Sequence, residues 1–195
     1  MTALFPDFRL GAVLATSFTG TLSERCGTPV ERIPTPARLV DWLDIYGLTV
    51  ETCTQAQLEL AWQLRESIHA TATAVAVGGA LPSSAVEVIN DRSARGRATA
   101  ELTADGDLRW RLRSDTAVED ALGVIAADAI GILSGTRDGR LALCASPTCR
   151  AAFFDTSRSR SRRWCDMSTC GNREKKARFN AQQRKRDTPA RQRNV

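Results

Sequence analysis

The chain has 195 residues, a formal net charge of +5 and 43% hydrophobic residues, enough for one sizeable core plus a small appendage and too apolar for wholesale disorder. Its apolar stretches are short and interrupted, none approaching the roughly 20 residues of a membrane span, and residues 1–20 lack the basic start of a secretory signal. A cytoplasmic protein with no membrane partner is expected, and in that reducing compartment grouped cysteines read as metal ligands rather than disulfides.

The net charge conceals a division. Residues 1–139 carry 12 basic and 18 acidic side chains, whereas residues 140–195 carry 15 and 4, so the two parts stand at −6 and +11. Such asymmetry marks a polyanion-binding end.

Along the chain, residues 10–18 read as a short helix, and residues 26–36 as a loop punctuated by Pro29, Pro34 and Pro36. Thr35-Pro36 starts a helix, with Thr as N-cap and Pro in the first turn. Leu39, Leu43 and Tyr46 follow at helical spacing, and Gly47 is the stop. Thr54 precedes a clearer helix, with Leu58, Ala61, Trp62, Leu64, Arg65 and Ile68 in a stripe of helical period up to Gly78-Gly79. Pro82-Ser83-Ser84 begins another helix, through Val86 and Ile89 to Asn90.

Residues 97–103 and 108–113 are extended runs joined by Asp105-Gly106, which predicts a hairpin closed by a type I′ turn. It is the one β element expected before the basic end. Residues 116–133 return to helical period, with Val118, Leu122, Ile125, Ala129 and Ile130 on a broad apolar face. Asp41, Asp44, Glu119 and Asp120 read as helix-surface acids. The link from Ser134-Gly135 to the basic end is short, so the two parts should pack together.

Four of the six cysteines are spaced Cys144-x4-Cys149-x15-Cys165-x4-Cys170. Two tight pairs can aim four sulfurs at one point, and a structural zinc takes four protein ligands in a tetrahedron. Ser146-Pro147 supplies the first turn and residues 167–169 the second. Residues 151–154 read as a strand, 155–161 as a polar turn and 163–165 as a return strand, with Phe153, Phe154 and Trp164 as a miniature core. So small a unit needs a staple, here one structural Zn2+. Four thiolates leave no position open for a reacting water. With no nucleophile–base pair and no phosphate-cradling glycine loop in view, an enzyme is not expected.

Residues 171–186 contain no proline and favour a helix, starting near Asn172 as N-cap. Phe179 should pack back on the zinc unit. Arg173, Lys176, Asn180 and Gln183 fall along one face, at spacings of three and four. Arg, Asn and Gln read guanine and adenine edges in the major groove, while Lys mainly meets phosphate. Asn172, Lys175 and Arg184 complete the expected contacts from the helix, and Arg158, Arg160, Arg162 and Arg163 on the turn are placed for phosphates.

Cys144-x4-Cys149, Phe-Phe-Asp-Thr-Ser-Arg at 153–158, Arg-Arg-Trp-Cys at 162–165 and Cys-Gly-Asn-Arg at 170–173 resemble the CGNR zinc finger over residues 140–186. Residues 14–21, the helix of residues 35–48 with its Tyr-Gly-Leu end, and the helix entering the finger resemble the ABATE domain. That domain precedes the finger in a bacterial family described as candidate stress-induced transcription regulators. The resemblance implies metal ligation by Cys144, Cys149, Cys165 and Cys170, and a role for Asn172 and Arg173 where the basic helix begins. The chain departs from the family at Ser17 and Gly20, where an acidic residue and Asn are usual.

The expected fold is α+β. A mostly helical ABATE-like domain spans residues 1–139, with its hairpin near 97–113. A small treble-clef-like ββα zinc finger spans 140–186, and a disordered tail spans 187–195. The expected function is a zinc-dependent, DNA-binding transcription regulator. The alternatives are an RNA or single-strand binder that stacks bases on Phe153, Phe154 or Trp164, and a protein-interaction module of the transcription machinery. A homodimer on paired half-sites and a small-molecule effector beside Trp42 and Trp62 are the other expected partners.

Overall fold

A computed structural model describes residues 5–11 and 13–187, with side chains through Arg184. Six α-helices and three two-stranded antiparallel sheets make up an α+β fold among these residues. In chain order they are α1 (Leu14–Thr19), β1 (Leu22–Ser23), β2 (Val30–Glu31), α2 (Pro36–Ile45), α3 (Gln55–Val77), α4 (Ser83–Arg95), β3 (Thr99–Leu102), β4 (Leu108–Arg111), α5 (Ala117–Leu133), β5 (Arg140–Leu143), β6 (Ala152–Asp155) and α6 (Asn172–Asp187). A π-helical turn, Met167–Gly171, leads into α6. The tail expected at 187–195 lies outside the described residues from 188 onward, and Asp187 closes α6.

The starts of α2 and α3 follow their caps. The Thr35 side chain accepts the Arg38 N–H, with Pro36 in the first turn. At α3, Thr54 and Gln57 form a reciprocal capping box, which satisfies two otherwise orphaned donors. The first helix starts at Leu14 rather than residue 10, and α4 runs five residues past Asn90 to Arg95.

α3 and α5 form the centre. Leu58, Ala61, Leu64 and Ile68 of α3 meet Val118, Leu122, Ile125 and Ala129 of α5, with Phe18, Leu39, Trp42 and Leu43 packed around them. Ile130, expected on the buried face, is 36% exposed, and Ile132 is buried instead.

Three further features of the helical body depart from the sequence reading. First, β1 pairs with β2, so the body holds a second hairpin; two-residue strands leave too little alternation to read. Second, the β3–β4 turn is not type I′. Gly106 alone has positive φ, +88°; its N–H donates to the Thr103 carbonyl, and the Thr103 N–H donates to Asp107. This is the three-residue loop that ends in a left-handed glycine. Third, Asp120 is not a surface acid. It is fully buried, and its carboxylate accepts the Arg97 and Arg113 N–H groups and the Arg113 guanidinium at 2.6–3.0 Å. Asp120 thereby fastens both ends of the β3–β4 hairpin to α5.

The hairpin, α4 and α5 meet closely. A Cβ on Gly123 would lie 2.5 Å from the Gly96 Cα, so only glycine fits at either position.

The basic end is not a separate ball. β5 and β6 pair with Leu141 opposite Phe154 and Leu143 opposite Ala152. Leu141, Ala152 and Phe154 join the same apolar core as α3 and α5. The expected miniature core is therefore divided: Phe154 belongs to the body, while Trp164 packs on the cysteines. The expected return strand at 163–165 does not form. Its place against β6 is taken by β5, which lies before the first cysteine and carries apolar residues the body can bury.

Two substitutions test the α5 joint. Burial alone would raise the Asp120 carboxyl, but the Arg113 guanidinium and two backbone donors outweigh it and hold its pKa at about 2. The folded pKa is lowered, so this stability is fully present above the unfolded value near 4 and is lost as pH falls toward 2. Asp120→Asn should cost on the order of 2 kcal/mol at neutral pH and flatten the loss of stability between pH 4 and 2, read by urea unfolding. Gly123→Ala should cost about 3 kcal/mol through overpacking, read in the same experiment.

Candidate metal centre and basic helix

The first cysteine pair sits in the connection of the β5–β6 hairpin. The Cys144 N–H donates to the Ala151 carbonyl, and the buried Ser146 presents its carbonyl to the Cys149 and Arg150 N–H groups. Arg150 adopts φ +49° to close this tight turn. The second pair is set by Asp166. Its side chain, not that of Asn172, caps the helical run by accepting the Ser168 N–H at 2.7 Å. Cys170 then enters on the π-turn just before α6. Asn172 is already helical, and its amide donates to the Ser168 carbonyl at 3.2 Å.

The four sulfurs lie within 4.8 Å of one another. Cys149–Cys165 and Cys165–Cys170 are each 3.7 Å apart. Four thiolates at about 2.3 Å from zinc occupy corners about 3.8 Å apart, so the donor set fits one tetrahedral Zn2+. All six cysteines are free, and Cys26 and Cys53 stay outside the cluster. Cys144, Cys149 and Cys170 are fully buried, with Trp164, Ala151 and Cys165 packed against them. Burying these thiols together makes their protons unequal. Hydrogen bonds donated by the Cys149 and Cys165 thiols to the Cys144 sulfur lower the Cys144 pKa, and the same contacts raise both partners. A bound cation would replace those protons, and the closed tetrathiolate gives it a structural role.

The arginine loop, residues 156–163, is shaped by Asp155. This buried carboxylate accepts the Ser157 N–H and the Arg162 N–H, both at 2.9 Å. Arg158, Arg160, Arg162 and Arg163 are all exposed. Arg160 pairs with Asp138, and Arg162 donates to the Cys165 carbonyl at 2.9 Å. Arg163 lies over the Trp164 ring, 5.3 Å from its centroid.

On α6, Lys175, Lys176, Asn180, Gln183 and Arg184 are exposed. Phe179 does not pack back on the zinc unit; it is 59% exposed, because α6 leaves the body within two turns. Glu174 pairs with Arg178 one turn on. Arg173 behaves differently. Its guanidinium grips Glu24 with two hydrogen bonds, 2.6 and 2.7 Å, and donates to the Thr148 hydroxyl at 3.0 Å. Thr148 also donates to Glu24, at 2.8 Å. The Arg173 hydrogen bonds outweigh burial and hold the Glu24 pKa at about 2. Nothing in the sequence marks Glu24, which precedes its partner by 149 residues.

Trp42 is wholly buried against Phe18 and Tyr46, and the Trp62 indole donates to the Ile33 carbonyl. Neither lines the two main described clefts. One, about 470 Å3, runs between residues 9–23 and the zinc unit, with Arg9, Val13, Phe153 and Arg162 in its walls. The other, about 510 Å3, lies under the β3–β4 hairpin beside Trp110 and Gly123.

Metal analysis of the purified protein should give one zinc per chain. Cys149→Ser should lose it, and chelation should release α6 and expose Trp164, read as a red shift in tryptophan emission. The ion contributes most of the local folding energy, typically about 10 kcal/mol or more.

Two family models match the chain. Residues 12–136 match ABATE, described as "Putative stress-induced transcription regulator", and residues 140–183 match the CGNR zinc finger. Both are regulator or zinc-finger families rather than enzyme families. A search of curated proteins finds no match. No described helix is long and apolar enough to cross a membrane. The first match covers well over half of the residues, and the second spans the four-cysteine centre fitted above: the chain belongs to the ABATE family and bears a CGNR zinc finger.

Proposed function

We propose that this protein is a zinc-dependent transcription regulator that binds duplex DNA through α6 and the arginine loop. The observation that carries the reading is the exposure of α6. From Lys175 to Arg184 every side chain is exposed, on a helix in the part of the chain that stands at +11. A helix of about 10–12 Å diameter fits a major groove about 12 Å wide. Lys176, Asn180 and Gln183 form the reading face, Lys175 and Arg184 flank it, and Asn172 steadies its base. Arg158, Arg160, Arg162 and Arg163 supply phosphate contacts from the loop.

Burial of the finger aromatics favours duplex over single strands. Phe153 and Phe154 are 5% and 7% exposed, so they offer no stacking platform, and Trp164 covers the cysteines. A protein-interaction role would show as a partner retained after nuclease treatment.

A homodimer suits paired half-sites, since one small finger offers limited affinity. Leu102 and Leu108, opposed across the β3–β4 hairpin, are 81% and 64% exposed and give a second copy an apolar surface to meet. An effector, where one acts, has the cleft between residues 9–23 and the zinc unit available to it, rather than a site at Trp42 or Trp62.

Fluorescence anisotropy with zinc-loaded protein and labelled duplex tests the function. Affinity should fall by about 10³-fold or more between 50 and 200 mM salt, as expected for about six neutralised phosphates. Lys176→Ala should weaken binding and reduce the salt slope by about one. No duplex binding at low salt, or a tenfold preference for single strands, would sink the reading.

A further inference from the structure

Arg173 stands in the sequence as a leading base-reading residue, yet its guanidinium is engaged elsewhere. We propose that Arg173 and Glu24 form a positioning pair that fixes the direction in which α6 leaves the body, so that Arg173 serves DNA binding through Glu24 and not as a base or phosphate contact. The role in DNA binding rests on the function proposed above; the clamp itself does not.

Three parts of the molecule converge on the Glu24 carboxylate. Arg173 reaches it from α6 with two hydrogen bonds, and Thr148 reaches it from the turn between the first two cysteines. Glu24 itself belongs to the β1–β2 turn of the body. A main-chain bond from the Cys26 N–H to the Thr148 carbonyl, 3.0 Å, ties that same turn to the zinc unit. Arg9 adds a second cation at 3.6 Å. The carboxylate is only 12% exposed, and the residue adopts φ +55°, a conformation that L side chains rarely take. Backbone strain of this kind persists where surrounding contacts over-determine it.

The helix needs such a brace. Zinc would hold it through Cys170, one point just before its start, and Lys175 onward touches little of the body. Gln183 lies ten residues beyond Arg173, about 15 Å along the axis. A swing of about 20° would move it roughly 5 Å, more than the 3.4 Å between successive bases. A second attachment at Arg173 removes that swing. It also explains why a guanidinium is used: its planar fork grips both carboxylate oxygens, which an ammonium cannot do.

The test is a double-mutant cycle on the full zinc-loaded chain, with Glu24→Gln, Arg173→Gln and the pair together. Each single change should weaken duplex binding about tenfold, the double change should be no worse than either, and the salt slope should not move. Arg173 is 45% exposed, so direct phosphate contact is the competing role. That role predicts a slope lowered by about one in Arg173→Gln, with Glu24→Gln harmless, and this result would overturn the proposal. A second readout needs no DNA. In 15N relaxation of the free protein, amide order parameters over residues 175–184 should fall from about 0.85 to below about 0.6 in each variant, with zinc content unchanged. Unchanged order parameters would overturn the clamp even if the wild-type protein bound no DNA, whereas absent DNA binding with the expected loss of order would sink only the function.

Discussion

Four sulfurs brought within 4.8 Å of one another set the terms for the basic end of this molecule. Left protonated, they compete for the same few hydrogen bonds; left as thiolates, they repel one another in a buried site. One divalent cation resolves both problems and leaves the cluster with two excess negative charges, which the local sequence accommodates. Arg162 donates to the Cys165 carbonyl, and Arg173 lies close enough to Cys170 and Cys149 to feel their charge. The metal cluster and the cations around it are thus one electrostatic unit. Arg158, Arg163 and the residues from Lys175 to Gln183 lie outside that unit and are exposed.

A common device fastens the irregular parts of the fold. Asp120 holds the β3–β4 hairpin, Asp155 shapes the arginine loop, and Glu24 gathers the β1–β2 turn, the cysteine turn and α6. Each is a carboxylate largely removed from water, and each is matched by several charged or main-chain donors. A buried carboxylate is costly unless it is fully paired, so each of these joints has a narrow range of acceptable geometry. Loops of poor hydrophobic content gain a defined shape this way without a core of their own.

That device also marks the limit of what the sequence reveals. Thr35-Pro36, the Thr54–Gln57 box and the cysteine spacing act over a few residues, and each produces the local structure its chemistry implies. Asp120 reads as a helix-surface acid because its burial depends on a hairpin folded over it, not on its neighbours in α5. Sequence pattern puts the strand opposite β6 after the cysteine loop, yet β5 before it carries the apolar residues that α3 can bury. The Asp105-Gly106 dipeptide locates its turn but not the turn type, since only the observed φ values separate two-residue from three-residue loops. Hydrophobicity alone puts Phe179 inside, but α6 departs before any apolar surface reaches it. The ion pair between Glu24 and Arg173 joins the two family segments, and no local pattern records it.

The charge division acquires a mechanical meaning once the geometry is known. A body at −6 is repelled by a phosphate backbone, and an end at +11 is drawn to it, so approach to a polyanion is oriented before contact. Orientation alone would be wasted if α6 swung freely from its zinc anchor. The apolar seam through Leu141, Ala152 and Phe154 holds the β5–β6 hairpin to α3 and α5, and the Glu24 carboxylate fixes α6. The first attachment is non-directional and resists separation; the second is directional and resists rotation. Together they give the zinc unit and α6 a fixed attitude to the body rather than a flexible tether.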